Sequence, residues 1–490
     1  MSIKKNIVYN VSLSVLNVLF PIITAPYISR VLGVENVGVI RFVMTNVGFF
    51  ALFAALGIGY YGVRELAKYK DDQAKCSQIF SSLFAIVSCS TLVVALLFVL
   101  FINLIPEFRE HRLLFSLYGI TLYLVPITMD WYFQAKENFR MIAIRSFVVK
   151  LLALVGLFIF VRERGDVVPY ILISVFSVVA TQIWNLSYAY RTGLHISFRN
   201  LELRKHIKPM FVFLLSNIAI SIFVMIDTVM LGFLSSYEQV GYFTSPNVLL
   251  VTITSCFVAI NIVLLPRLSF NNTQMDDNTN TMLLQKTFDL NALLIIPLAV
   301  GLSLIASRFV PLFFGSEFAG SIMPMQILSF RVIVVMINCF FAHNILMAFG
   351  HEKKILLTAS CAAVASFACN LLLIPHYGAI GAAVASIIAE SSQAGLILYF
   401  VYKITKIRVR WSAMGVAAFF TLPFFALYYL CNMLVVHDTA FLFVFVSLSA
   451  IVYFALQLLT KNYLVQKAME IGINKLKDRI GRKIELEVDK

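Results

Sequence analysis

Three charged residues stand where charge is hardest to keep. Lys150, Arg331 and Glu390 each lie near the middle of an apolar stretch long enough to cross a bilayer. At 1.5 Å of rise per helical residue they sit about 15 to 18 Å from the nearer end. A charge at that depth costs about 3 kcal/mol on insertion scales, so each needs a partner or a water-filled cavity. Arginine offers a planar fork that matches phosphate oxygens and lysine a compact charge, so Lys150 and Arg331 are expected to bind an anionic group in a wet cleft. An ion pair of Arg331 with Glu390 is the structural alternative. Arg145 lies only about 7 Å inside its span, where it either joins the cleft or snorkels to the surface. Arg30 and Arg41 flank a turn near one membrane face and join the expected anion-binding set, the alternative being neutralisation of Glu35. Asp227 and Glu390 are carboxylates in apolar surroundings; each is expected to carry a proton or sodium ion, against a static salt bridge. Asp130, near the end of its segment, reads as an interfacial cap.

The elements that must position these residues are helices in lipid. The 490 residues are 60% hydrophobic and 13% charged, with a mean hydropathy of +0.88, well above the apolar fraction of soluble domains, about 45–50%. Only helices satisfy their own backbone across an open bilayer, at about 20 residues each. Fourteen such windows lie between residues 9 and 460, the first two at 9–31 and 38–61. The fold class is therefore an all-α polytopic membrane protein of about fourteen transmembrane helices. The longest polar gaps between apolar segments, 63–79, 191–207 and 267–285, are too short for a catalytic domain. A membrane polymerase or glycosyltransferase with paired carboxylates is disfavoured on that ground, and the chain is not expected to be an enzyme. Lys4 and Lys5 precede a long apolar run with no small-residue cleavage site, which reads as a retained first span.

Lysine and arginine set the orientation. With a cytoplasmic amino terminus, 29 of the 39 Lys and Arg fall in the cytoplasmic loops and tail, against Arg109, Arg112, Arg162, Arg164 and Arg308 on the other face. Both termini are thus expected in the cytoplasm. The formal charge of +14 reports topology and contact with anionic membrane lipids; nucleic-acid binding is not expected. Seven cysteines without a Cys-x-x-Cys pair and seven scattered histidines leave no metal-ligand cluster, so neither metal nor cofactor is expected beyond proton or sodium coupling.

The turn Leu32-Gly33 followed by Glu35-Asn36-Val37-Gly38 returns as Leu231-Gly232 followed by Glu238-Gln239-Val240-Gly241. Such internal doubling across a membrane suits a transporter of two halves around a central path. Two pseudo-symmetric six-helix lobes are expected at 1–190 and 209–402, joined by a basic cytoplasmic linker at 191–208. Two further helices would occupy 403–460, and a basic amphipathic tail 461–490. Pro21, Pro26, Pro126, Pro246 and Pro266 interrupt helix hydrogen bonding, as hinges or as fixed bends.

Several short stretches, in order, resemble a known family. They are Pro26 through Gly33, Gly57 through Glu65, and Asp130-Trp131-Tyr132-Phe133-Gln134; then Asp227 through Gly232 with Val240-Gly241-Tyr242, Pro266-Arg267, and Phe313-Phe314-Gly315 with Glu317-Phe318. Gly350 through Lys353, Asn370 through Pro375 and Gly378 through Ala383 complete them. Together they resemble the Wzx-type polysaccharide repeat-unit flippases of the multidrug, oligosaccharidyl-lipid and polysaccharide exporter superfamily. The chain departs from that pattern at Ala135, where the family usually has glycine. The resemblance implies a bacterial inner-membrane flippase with fourteen helices in two lobes. It would carry an undecaprenyl-pyrophosphate-linked oligosaccharide to the outer leaflet for surface polysaccharide biosynthesis, with a polysaccharide polymerase as a partner. Tyr27, Trp131 and Tyr242 are then candidates for stacking on sugar rings. A cation-coupled multidrug antiporter on the same scaffold is the alternative, but cationic drugs favour acidic cavities and the first segment carries no carboxylate.

Overall fold

The computed structural model describes residues 3–271, 277–405, 407–466 and 470. Side-chain surroundings are described for 13, 15–215, 217, 218, 221, 224–255, 257, 281–405, 407–466 and 470. Most of the tail expected at 461–490 lies outside the described residues, as do the side chains of Lys4, Lys5, Pro266 and Arg267.

Every regular element among the described residues is helical. The first half comprises α1 (Ile3–Ala55), α2 (Ile58–Ala67), α3 (Gln73–Leu104), α4 (Pro106–Glu110), α5 (Arg112–Tyr123), α6 (Asp130–Ala135), α7 (Phe139–Phe160) and α8 (Val167–Arg191). The second comprises α9 (Leu203–Leu234), α10 (Tyr237–Asn271), α11 (Asp277–Phe314), α12 (Ile322–Phe341) and α13 (Glu352–Ile404), followed by α14 (Ser412–Phe419), α15 (Leu422–Leu434) and α16 (Asp438–Leu459). Nine helices among the described residues are long and apolar enough to cross a membrane, or ten if α5 and the bent segment after it make one span. The chain is a multi-pass membrane protein.

Two of those nine are too long for one crossing. At 53 residues α1 and α13 would each reach about 80 Å, against a hydrocarbon core of about 30 Å. Each is broken at a single glycine. Gly33 adopts φ 78° and ψ 169°, a backbone region that residues with a Cβ rarely enter, and Gly378 has φ 51° and ψ −126°. The turn expected across 32–37 is therefore a one-residue break, and Glu35 through Gly38 are already helical. In the second copy of the repeat the break falls at Ser235, after α9, and α10 resumes two residues later.

The two copies of the repeated Val-Gly meet each other. A Cβ built on Gly38 would stand 1.7 Å from the Tyr237 carbonyl oxygen and 3.0 Å from the Gly241 amide nitrogen. One built on Gly241 would stand 2.3 Å from the Val34 carbonyl oxygen. Glycine is needed on both sides for α1 and α10 to cross backbone to backbone, the device by which membrane helices pack closely without a hydrophobic driving force. Around the crossing, the Phe42 ring packs against Phe233 at 5.3 Å and Tyr237 at 5.6 Å between centroids, and His111 against Tyr237 at 4.8 Å.

Buried apolar side chains form three clusters. The first is drawn mainly from residues 28–210, with Leu249, Ala306, Val310, Phe314, Phe318 and Met325 added. The second runs from Met230 to Ala417. The third joins Leu293, Val300 and Ile305 of α11 to side chains between Phe420 and Val465. This last group is also tied by polar contacts: Arg308 donates to Asp438 at 2.8 Å and Asn432 at 2.5 Å, and the Tyr453 hydroxyl donates to the Leu293 carbonyl at 2.9 Å.

The connector before α9 is docked rather than free. Backbone amides of His195, Ser197 and Glu202 donate to the hydroxyls of Ser77, Ser81 and Ser82 at 3.3, 3.0 and 3.1 Å. Glu202 accepts from Lys205 at 2.6 Å and Lys75 at 3.0 Å, and these bonds hold its carboxyl down at about 2. The anchoring charge therefore persists throughout the neutral range.

The crossing generates a stability prediction. Gly38→Ala is expected to lower the unfolding temperature in detergent, through overpacking of about 1–3 kcal/mol. Gly301→Ala in α11, where a Cβ meets open space, is expected to leave it unchanged or raise it, since alanine is favoured in helices by about 1 kcal/mol. Equal responses would mean that the crossing relaxes at no cost.

Candidate functional site

The charges inside the helices fall into separate groups. On α12, Arg331 donates to Glu390 of α13 at 3.2 Å and to Asn247 of α10 at 3.1 Å. Asn338 stands seven residues along α12, hence on the same face. Its amide donates to the second Glu390 carboxylate oxygen at 2.7 Å. The side chains of Arg331 and Glu390 are 14% and 6% exposed. They border a cavity of about 190 Å³ with Val224, Thr254 and Val335. Among the described residues the Arg331 Nε and the Asn338 carbonyl oxygen are buried without a partner. Arg331 and Glu390 thus form the ion pair that the sequence left open as an alternative.

Asp227 of α9 is buried and accepts three neutral donors. Ser386 Oγ lies at 2.5 Å, Asn370 Nδ2 at 2.6 Å and Ser366 Oγ at 3.2 Å. Ser366 and Asn370 precede the break at Gly378 and Ser386 follows it, so the bend in α13 assembles the cluster. The Asn370 carbonyl oxygen is also buried and unpartnered among the described residues. A carboxylate with hydroxyl and amide oxygens is a donor set for a hard cation, and equally a place to hold a proton. Sequence reasoning named Asp227 but not these three neighbours. The signal available was the i,i+4 spacing of Ser366 and Asn370, polar groups on one face of an apolar helix.

In the first half, Lys150 of α7 donates to the Asn17 side-chain oxygen of α1 at 2.6 Å, and its ammonium lies 5.3 Å from the centre of the Phe20 ring. It has no carboxylate partner among the described residues. Arg145 is engaged instead. Its guanidinium donates to Asp130 and Asn185, both at 2.5 Å, and Asn185 donates back to Asp130 at 3.1 Å. Arg145 is 3% exposed, so it neither snorkels nor presents its charge to a cleft, and Asp130 serves as its counter-ion rather than as a cap.

Arg30 donates to the Leu312 carbonyl. Arg41 lines a narrow crevice with Ser29, Tyr170, Ser245 and Phe314. Neither pairs with Glu35, which is exposed. Beside the Gly33 break, Arg164 pairs with Glu317, and the Asn36 amide donates to the Arg164 carbonyl at 2.9 Å. The Arg164–Glu317 pair ties the first half to the second at the end opposite the linker. Of the aromatics proposed for sugar stacking, Trp131 is buried against Phe80, ring centres 5.6 Å apart, and the Tyr27 hydroxyl donates to the Val161 carbonyl at 2.7 Å. Tyr242 packs over Gly320.

The structure therefore brings Arg331 to Glu390 and gathers polar oxygens around Asp227, but it does not assemble the five cations into one lining. Arg331 and Arg145 are paired with carboxylates, Arg30 donates to a neutral carbonyl, and among the described residues Lys150, Arg30 and Arg41 form no ion pair.

A family model described as polysaccharide biosynthesis protein matches residues 3–271, more than half of the chain. The chain belongs to the polysaccharide biosynthesis protein family. Two relatives of like name, "Putative O-antigen transporter", come from Escherichia coli strain K12 and Shigella dysenteriae. Both are 23% identical, over 82% of this chain and 97% and 100% of their own lengths. Among solved structures, the lipid II flippase MurJ in an inward closed conformation superposes with a TM-score of 0.78 at 12% identity, covering 94% of this chain and all of that one. An inward-facing multidrug resistance MATE family transporter of the MOP superfamily gives 0.59 at 15% identity, covering 81% of this chain and 98% of that one. At these identities the superpositions report the fold. With the family match, they bear out the resemblance to the exporter superfamily drawn from the ordered motifs.

In this family member the Arg331–Glu390 pair sets a measurable coupling. Glu390→Gln leaves a buried guanidinium without its anion and is expected to destabilise the protein by about 3–5 kcal/mol. Arg331→Met combined with Glu390→Met is expected to cost less than Glu390→Gln alone, by thermal unfolding in detergent. Simple additivity of the two positions would show that the pair is not coupled.

Proposed function

We propose that the protein is a flippase that carries an undecaprenyl-pyrophosphate-linked oligosaccharide repeat unit from the inner to the outer leaflet of the bacterial inner membrane, for surface polysaccharide biosynthesis. In this reading residues 1–190 and 209–402 are two six-helix lobes, 403–460 adds two helices to make fourteen, and both termini are cytoplasmic. The observation that carries it is Lys150, a half-buried cation held, among the described residues, by an amide oxygen and a ring, in a fold that superposes best, among the structures named, on a lipid II flippase. An anionic head group supplies the counter-charge that the protein withholds from this residue.

The cycle is alternating access by rocking of the lobes. The seal of Gly38 against Gly241, with Arg164–Glu317 and Arg30–Leu312 beside it, closes the outer end. Release outward requires that those contacts part. Asp227 is the coupling site: its cluster takes up a proton or sodium ion, and because the ligands span the Gly378 break, occupancy biases the bend of α13. Glu390, committed to Arg331, has a weaker claim to that role.

Deletion of the protein is expected to remove outer-leaflet glycan and to accumulate the lipid-linked intermediate on the inner leaflet. Normal crossing of that intermediate in the deletion strain would reject the assignment, and altered drug sensitivity in its place would favour the antiporter. In the restored strain Lys150→Met is expected to reduce transport about 10- to 100-fold, the worth of a charge-assisted hydrogen bond of about 1.5–3 kcal/mol, with Lys150→Arg retaining most of it. Asp227→Asn is expected to abolish the dependence of transport on an ion gradient; an unchanged dependence would remove Asp227 from the mechanism.

A further inference from the structure

One cavity has no part in that cycle. It opens between α7 and α8 at the end that carries the linker, with a volume of about 580 Å³. Its rim holds Arg140 and Arg191, and its walls include Asn138, Ser187, Trp184 and Tyr188. Both arginines are exposed, and neither side chain makes a hydrogen bond or ion pair with a described residue. The carboxylate next to the cavity in sequence, Glu137, is engaged by Lys70 at 3.1 Å. The floor is fixed, since the Asn138 amide donates to the Tyr188 hydroxyl at 3.1 Å while Asn138 caps α7 through the Met141 amide.

Above the arginines the surface turns apolar. Ile144, Phe147 and Leu151 continue from Arg140 at spacings of four, three and four residues, along one face of α7. They are 43%, 54% and 48% exposed. From Arg140 to Leu151 the stripe rises about 16 Å, close to half of a hydrocarbon core of about 30 Å. On α8, Trp184 stands two turns from Arg191 and is 37% exposed. An indole at that depth is suited to the boundary between head groups and acyl chains.

We propose that this cavity binds the phosphate head group of an anionic phospholipid of the inner leaflet, with Arg140 and Arg191 on the phosphate and an acyl chain along Ile144, Phe147 and Leu151. Two guanidinium forks without an internal anion call for phosphate, and the adjoining stripe, one leaflet long, selects a lipid over a soluble phosphate. The lining comes wholly from α7, α8 and the residue before α7, and no residue of the second half contributes. A transported head group must pass between the halves, so the resident here is a bilayer lipid rather than the cargo. The proposal rests on the inner-face assignment of the linker end made above.

The test uses the full chain in lipid nanodiscs and does not require transport. The protein has three tryptophans. Trp131 is 3% exposed, and Trp411→Phe removes the other surface indole, so quenching reports Trp184. Brominated phosphatidylglycerol is expected to quench at least twofold more strongly than brominated phosphatidylcholine. Arg140→Gln with Arg191→Gln is expected to bring the two lipids level, with an unchanged unfolding temperature because both side chains are exposed. Equal quenching by the two lipids in the parent, or a phosphatidylglycerol preference that survives the double substitution, would overturn the site. So would displacement of the quencher by undecaprenyl pyrophosphate at a small molar fraction, which would make the occupant the cargo. A flippase that fails its transport test leaves this readout intact, so the two failures are separable.

Discussion

The contact on which the arrangement depends is the crossing of α1 and α10, where Gly38 and Gly241 allow two backbones to touch. Lipid offers no hydrophobic incentive for two helices to associate, because acyl chains are as apolar as leucine. What remains is close packing, and close packing of backbones tolerates no side chain between them. The same pair of residues is the repeated Val-Gly of the sequence, so the two copies of the motif supply both partners of the interface. Phe42, Phe233, Tyr237 and His111 then close around it. Aromatic rings fill the space on either side of a contact that cannot itself be filled.

A second constraint governs the charges. Buried ions in lipid must be matched, and the protein matches them unequally. Arg145 is held by Asp130 and Asn185, and Arg331 by Glu390 and Asn247. These pairs join α6, α7 and α8 in one half and α10, α12 and α13 in the other, where they fix helix rotation more than they add stability. Lys150 departs from this rule with its neutral partners Asn17 and Phe20. Asp227 departs in the opposite sense, an acid surrounded by hydroxyls and an amide with no basic side chain bonded to it. Among the described residues Lys150 thus forms no ion pair in the first half, and Asp227 in the second is bonded only to neutral donors, with Arg331 acting on it through space. In the proposed cycle, cargo and coupling ion would complete these two sites in turn.

Much of the fold was legible from residue types alone. The apolar windows marked a helical, multi-pass chain and the doubled Leu-Gly and Val-Gly marked two related turns, because both depend on local composition and spacing; the contact between the two Val-Gly glycines was not part of that reading. The partners of the buried charges were not legible to the same degree. Arg145 and Asp130 are 15 residues apart but lie on different helices, and Asp227 meets Ser386 from 159 residues away. Depth within a span shows that a charge needs a partner without showing which one. At Gly378 the apolar windows already separate, at 355–374 and 378–402; what they do not show is that the interruption is a one-residue bend, φ 51° within a 53-residue helix, that assembles the Asp227 cluster. For Arg145 the sequence left cleft and snorkelling open, because counting residues from a span end gives depth but not the direction in which the side chain points.

The seam and the buried charges are mechanically joined through α10. Gly241, at the crossing with α1, and Asn247, which accepts from Arg331, are six residues apart on that helix, about 9 Å along its axis. Asn247 therefore cannot keep its bond to Arg331 through a large tilt of α10 unless α12 follows. Arg331 in turn holds Glu390, on the portion of α13 beyond Gly378 that also supplies Ser386 to Asp227. Seam, ion pair and acid cluster thus form one chain of contacts through α10, α12 and α13. In the proposed cycle, ion binding at Asp227 and opening at Gly38–Gly241 would communicate through rigid helices with two packings rather than through any flexible loop. The bond between Asn247 and Arg331 lies within the packing of α10 on α12, and there the second-half charges reach the helix that crosses α1.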